Sequence, residues 1–415
     1  MLKCDKAGGS TTLLPLVYFF FPLLVCFLAL GSCGDKRDCK VETLTDKPSI
    51  AKSGDAWTEL LHNRKGWIAG DGIFAIPLDG KEFVPATDST RTLFLFSDSL
   101  IGELDKDDEL KSKDQYSFVN NVVAILKGSE PKKENMEFIW RKDAEGKPTS
   151  MFKPNTPNTK PGEYYWMGDG FVNIDADSTL YIFAYRIKHV DPVEHFFDFE
   201  QVSVSLLAIP KGSTPPFDSI KQIETPFRFP YQGTSLSTFG NGIMVNTKSA
   251  GAPNPDGYIY VYGSGGPAID LLSARVLPKD FENFDAWTFW NGKEWIKDYN
   301  QVKALTSSVS NELSVSPIGN NRYIVVHHLM GMSNEVAVQV AKSPVGPFFP
   351  IREVWHCPEV ELDLDYNTYN SKGFPHLSKP GELLVSYNVN SFDFFNDIIK
   401  DPTLCRPRFI SVKVN

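Results

Sequence analysis

The sequence predicts an all-β fold, a five-bladed β-propeller, from three observations. Short runs of β-branched and aromatic residues alternate with Gly, Pro, Asn and Asp, and amphipathic helical stretches are few. The 415 residues include 13% aromatics and 30 glycines, which suits packed sheets joined by tight turns. The runs also fall into five similar units when laid side by side.

The first unit reads Gly66-Trp67-Ile68-Ala69-Gly70-Asp71-Gly72, a strand from Ile73 to Leu78, a turn, and a second strand from Thr92 to Asp98. The next repeats the pattern with Tyr165-Trp166-Met167-Gly168-Asp169-Gly170, Phe171 to Ile174, and Thr179 to Phe183. A third runs through Gly242 to Asn246, Gly257 to Gly263 and Leu271 to Val276, with Ala286 to Trp290 as an outer strand. Asn311 to Val315, Arg322 to His327 and Asn334 to Ala341 make the fourth. The fifth is Gly373 to Leu377, Glu382 to Asn388 and Arg408 to Val414. It lacks an outer strand, which residues near Ala51 to Leu61 could supply, hiding a bare edge and joining the two ends of the chain.

Before these units, Lys3 and Lys6 precede an apolar stretch from Leu13 to Leu30 that ends Leu30-Gly31-Ser32-Cys33. Residues 1–32 read as a signal peptide, and the ending as a lipobox that leaves Cys33 lipid-bearing. An uncleaved anchor helix is the alternative. Either places the body outside the cytoplasm, held to a membrane by the anchor only. Residues 33–52 are too polar to pack alone and read as a lipidated tether, so the propeller domain is 53–415. Beyond Cys4, Cys26 and Cys33, the remaining cysteines are Cys39, Cys357 and Cys405. A Cys357–Cys405 bridge would pin the last blade in an oxidising compartment. The formal charge is −9, with the acidic residues dispersed and no basic stripe, which excludes a nucleic-acid partner.

In a propeller the first strands line a central channel, so residues where they begin converge on one mouth. That brings together Asp71, Asp169 and Glu312, with Lys372 and His376 at the fifth unit and Asp98 at the end of the second strand of the first. Two carboxyl groups flanking a glycosidic bond suffice for hydrolysis, one protonating the leaving oxygen while the other activates water or attacks. Trp67 and Trp166 beside the Gly-Asp-Gly motifs could stack on a sugar ring, although packing between blades is the commoner fate of such rings. Asp-Gly also makes plain turns, Glu312 could simply pair with Lys372 or Arg275, and His376 could be a core histidine.

Other chemistries lack a signal. HExxH, CxxC and Gly-x-Ser-x-Gly are absent, and Gly263-Ser264-Gly265-Gly266 has no helix after it to make a phosphate loop. No cofactor is expected; Ca²⁺ is conceivable in an acidic channel, but no loop spells such a site. His327 and His328 are neighbours in one strand and point to opposite faces, against a shared metal.

The set Gly70-Asp71-Gly72, Leu95 to Ser99, Tyr165 to Gly170, Asn311 to Ser314, Pro344 to Phe348, Tyr369 to His376, Leu384 to Asn390 and Arg406 to Phe409 resembles uncharacterised bacterial lipoprotein propellers. These are similar to endo-D-arabinanase glycoside hydrolases and, more distantly, to the five-bladed arabinanase and levansucrase superfamily. The resemblance implies hydrolysis of furanosides by two aspartates of the first blade, matching Asp71 and Asp98, with Asp169 and Glu312 binding substrate or tuning the pair. The expected function is therefore a cell-envelope glycoside hydrolase acting on an envelope or dietary polysaccharide such as arabinan. Its rivals are a lipoprotein that captures glycans without catalysis and a propeller that serves only as an interaction scaffold.

Overall fold

A computed structural model describes residues 50–414 apart from 111, 113–114, 192–196 and 234. The expected leader, Cys33, Cys39 and the expected tether as far as residue 49 lie outside the described residues. The β-branched and aromatic runs form antiparallel strands, most of them buried on both faces: every residue of Thr92 to Phe96 is inaccessible to water, as in a strand covered by layers on either side.

Five sheets of four or five strands follow one another along the chain. The N-terminal strand β1 (Ala51–Ser53), helix α1 (Asp55–Leu60) and strand β2 (Lys65–Gly70) precede them. The first sheet is β3 (Phe74–Pro77), β4 (Arg91–Phe96), β7 (Val122–Lys127) and β8 (Met136–Ile139). Between its members the chain makes β5 (Ser99–Glu103) and β6 (Tyr116–Val119), which join β2 in a separate three-stranded sheet. A short hairpin, β9 (Arg141–Lys142) with β10 (Pro148–Thr149), leads on. The second sheet is β11 (Tyr164–Val172), β12 (Leu180–His189), β13 (Phe199–Ile209) and β14 (Lys221–Glu224). β15 (Ser237–Asn246), β16 (Tyr258–Gly265), β17 (Asp270–Val276), β18 (Thr288–Trp290) and β19 (Trp295–Ile296) form the third. The fourth is β20 (Leu313–Pro317), β21 (Tyr323–His328), β23 (Glu335–Ala341) and β24 (Arg352–His356). The last joins β25 (Tyr366–Gly373), β26 (Glu382–Ser391) and β27 (Arg408–Lys413), with the short β22 (Met332–Ser333) at one edge and β1 at the other. Helix α2 (Phe394–Lys400) sits between β26 and β27.

Five apolar clusters separate these sheets. Phe74, Leu95 and Ile182 lie between the first and second; Phe183, Phe239 and Val261 between the second and third; Tyr262, Leu313 and Val325 between the third and fourth. Val326, Val385 and Val412 fill the space between the fourth and fifth, and Phe94, Phe374 and Phe409 that between the fifth and first. The first strands approach closely enough to require glycine: a Cβ on Gly242 would stand 2.7 Å from the carbonyl oxygen of Leu313, and one on Gly168 2.9 Å from that of Gly240.

The strand β1 supplies the missing outer strand, with Ala51 opposite Val412 and Ser53 opposite Ile410, so the edge of β27 is covered. This strand begins inside the expected tether. Residues Asp55 to Leu60 are helical instead, burying Trp57 and Leu60 with Asp55 in the first turn, where the helix dipole favours it.

Three expectations are corrected. Gly373 to Leu377 is not the first strand of the fifth sheet; that strand is β25, and Pro375 to Leu377 form a 3₁₀ turn, since proline has no N–H to donate to a ladder. Gly66 to Gly70 does not open the first sheet, because β2 pairs with β5 instead. Cys357 and Cys405 are both free thiols, not a bridge. Burial pushes both thiols up, so neither is poised as a thiolate.

Candidate active site

The strand β2 continues its ladder with β5 past Gly70 into the aspartates. The main-chain N–H of Asp71 donates to the Asp98 carbonyl at 3.0 Å, and Ser97 N–H returns a bond to the Asp71 carbonyl at 2.9 Å. Asp71 and Asp98 are thus cross-strand neighbours, although 27 positions apart in sequence. Gly72, at φ +67°, turns the chain from this ladder into the first sheet. Asn388 of β26, with its amide turned to suit, bonds both the N–H and the carbonyl of Gly72.

Each carboxyl group is held by groups from other sheets. Tyr369 of β25 donates its hydroxyl to Asp71 Oδ2 at 2.7 Å, and Asn390 Nδ2 reaches that hydroxyl at 3.3 Å. Trp166 Nε1 and Asn120 Nδ2 both donate to Asp98 Oδ1, at 2.9 and 3.1 Å, leaving Oδ2 free of either donor. Removal from water raises the Asp71 carboxyl to about 6; the Tyr369 hydrogen bond opposes this and the negative charge of Glu312 adds to it. Asp98 is pushed further, to about 8, first by removal from water and then by repulsion from Asp71, with Asp198 contributing in the same direction. The pair therefore holds one proton more firmly than two isolated carboxylates would.

Asp169 lies in a bulge of β11 between Met167 and Gly170. Its carboxylate accepts from Gly170 N–H at 2.8 Å and from Ile243 N–H of the third sheet at 2.7 Å. Burial lifts it to about 7 against the effect of those bonds. Glu312, at the start of β20, forms a buried ion pair with Lys372 of β25, and the ammonium also stands 4.3 Å from the centre of the Phe74 ring. Asp169, Lys372 and His376 line one narrow cavity with Glu82 and Phe83.

The remaining predicted residues separate. Trp67 is fully enclosed, stacked on Phe138 at 4.5 Å with its Nε1 on Ser99 Oγ; no face is left for a ligand. Trp166 is half-buried and touches Asp98. His376 is buried with Nε2 on Thr92 Oγ1 at 3.2 Å, and burial lowers it to about 3, so it is neutral. His327 and His328 are likewise buried and lowered to about 4. Among the described residues no group of three His, Cys, Asp or Glu side chains could hold a metal ion. Sequence reading missed Asn120, Tyr369, Asn390 and Asp198. Tyr369 and Asn390 stood inside quoted motifs; Asn120 and Asp198 had no local signal, since their roles depend on pairings across sheets.

No curated protein matches the chain. A Bacteroides ovatus protein, provisionally named a hydrolase, matches with a TM-score of 0.67 at 18% identity, over 90% of this chain and 97% of its own, which shows a shared fold. An exo-β-1,3-galactanase of Phanerochaete chrysosporium matches at 10% identity over 78% of this chain and 58% of that one, TM-score 0.41. The catalytic domain of a Coprinopsis cinerea α-L-arabinofuranosidase matches at 11% identity over 83% and 98%, TM-score 0.40. Both are too distant for a detailed comparison. The family model described as a domain of unknown function, DUF5005, matches residues 55–414, and the chain belongs to that family.

Proposed function

We propose that the five sheets are the blades of a propeller and that the chain is a glycoside hydrolase in which Asp98 is the general acid and Asp71 the base or nucleophile. The ring of five apolar clusters, each between two successive sheets and the last between fifth and first, supports the propeller. The observation that carries the function is the Asp71–Asp98 pair: two carboxyl groups on residues paired by a backbone hydrogen bond, one raised to about 8 and the other to about 6. At neutral pH the first keeps its proton and the second is ionised, the division of labour that glycoside hydrolysis needs.

Both donors to Asp98 end on Oδ1, so the proton sits on Oδ2 and points to the leaving oxygen. Tyr369 holds Asp71 Oδ2, and the ionised carboxyl activates water or attacks the anomeric carbon. Asp169 orients substrate, the buried Glu312–Lys372 pair tunes the charge at Asp71, and Trp166 offers a ring beside the acid. The substrate is a furanoside polymer such as arabinan, by the resemblance of the motifs. The leader and Cys33 support an exported, lipid-anchored protein of the cell envelope.

Incubation with a panel of arabinans, galactans and fructans, with reducing sugar and binding measured together, tests this. Wild type releases sugar, and Asp71→Asn binds the same glycan without release. A wild type that binds a glycan but releases nothing makes the protein a glycan-capturing lipoprotein and overturns the reading.

A further inference from the structure

Asn120 connects the Asp98 carboxyl to a group of aromatic rings outside the site so far described. It directly follows β6, and Phe118, two residues earlier, lies about 7 Å further along the strand. The Phe118 ring meets Phe394 at 6.5 Å and Phe395 at 6.1 Å, and those two meet at 5.2 Å edge to face. Phe118 is 40% exposed and Phe395 49%. Single exposed apolar side chains need no explanation, but rings held together beside an acidic mouth do.

The shelf is fixed rather than draped. Ser391 Oγ donates to Asp397 Oδ2 at 2.6 Å and accepts from Asp393 N–H at 3.0 Å, tying α2 to the end of β26. The Phe392 N–H bonds the Asp365 carbonyl at 2.9 Å, and Leu110 N–H bonds the Ile399 carbonyl at 3.2 Å. The ordering cost of a ligand platform is therefore met before any ligand arrives. A second group of rings reaches Asp98 from the other donor: Trp166 packs edge to face on Phe199 at 4.6 Å, and Phe199 stacks on Phe197 at 5.0 Å. Between the two groups stand Asn120, Asn390 and the carboxyl pair. These polar groups have hydrogen-bond partners but are still partly exposed, and an apolar helix or lipid would take them further out of water. A sugar chain offers hydroxyls to their remaining lone pairs and lays its C–H faces on the rings.

We propose that Phe118, Phe394 and Phe395 form a sugar-stacking subsite one or two units from the cleaved bond, so that the substrate is an oligosaccharide or polysaccharide strand extending across Asp98 from Trp166 to Phe118. This rests on the glycoside hydrolase reading. The test is the dependence of kcat/KM on chain length, with arabinofuranose oligomers of two to eight units, for wild type, Phe118→Ala, Phe395→Ala and the conservative Phe118→Tyr. The ratio of kcat/KM on the longest to that on the shortest oligomer falls about tenfold in each alanine variant and is restored in Phe118→Tyr. An unchanged ratio in both alanine variants overturns the subsite. If wild type cleaves no oligomer, the hydrolase reading fails separately, and calorimetric binding of the eight-unit oligomer decides: weaker binding by the alanine variants upholds the subsite, while equal binding, or none by wild type, overturns it.

Discussion

Asp71 and Asp98 are joined through their backbones, with the N–H of one on the carbonyl of the other at 3.0 Å, and their carboxyl groups repel one another. Burial is the larger cause of their raised proton affinity, and at Asp98 the charge of Asp71 adds to it, so fold and chemistry meet at this contact. Four predictions follow from it and its surroundings.

The pH profile of kcat/KM is a bell whose limbs report the pair, with apparent pKa values near 6 and 8. Steady-state rates between pH 4 and 10 measure it. A profile flat across pH 5 to 9 removes the pair from catalysis.

Tyr369→Phe deletes the hydroxyl that stabilises ionised Asp71. The acidic limb then moves to higher pH while the alkaline limb stays, and activity at pH 6 falls severalfold. An unmoved acidic limb would assign that limb to another group.

Stability carries the opposite signature. The Asp98 carboxyl is raised from 3.8 to about 8, so its protonated form favours the folded state fully below about pH 4. That contribution is lost as pH rises towards 8. Asp98→Asn, which cannot ionise, is therefore more stable than wild type above pH 8, and the difference shrinks as the pH falls to 4. Thermal melts at pH 4, 6, 8 and 9 show whether the gap opens with pH.

The Glu312–Lys372 pair is buried, with side chains 12% and 2% exposed. Lys372→Met alone leaves an unpaired buried carboxylate and costs about 3–5 kcal/mol, whereas Lys372→Met with Glu312→Leu recovers most of that loss. Urea denaturation of the single and double variants gives the numbers. A single variant as stable as wild type would mean that the pair is hydrated.

Much of the fold was legible in the sequence because each sheet carries its own local signals. Thr92 to Phe96 and Thr179 to Phe183 are apolar runs bounded by turn residues, and both are second strands. The covering of β27 by Ala51 to Ser53 followed from an unfinished last sheet. What failed was the apparent equivalence of the two Gly-Asp-Gly motifs. Gly70-Asp71-Gly72 links two sheets, whereas Gly168-Asp169-Gly170 is a bulge inside one strand. Trp67 and Trp166 therefore have different fates, one stacked in the core and the other bonded to Asp98. The site was half visible: the carboxylates stood in motifs, while Asn120, Tyr369 and Asp198 reach them only through pairings that local sequence does not encode.

The assignment of Asp98 as acid and Asp71 as its partner is tested most directly by varying the leaving group. Asp98→Asn should lose about 10²–10⁴-fold on arabinofuranose polymers but far less on 2,4-dinitrophenyl arabinofuranoside, whose leaving group needs no proton. Asp71→Asn should lose activity on both. Equal losses for Asp98→Asn on the two substrates, or wild-type rates of either variant on the polymers, would contradict it.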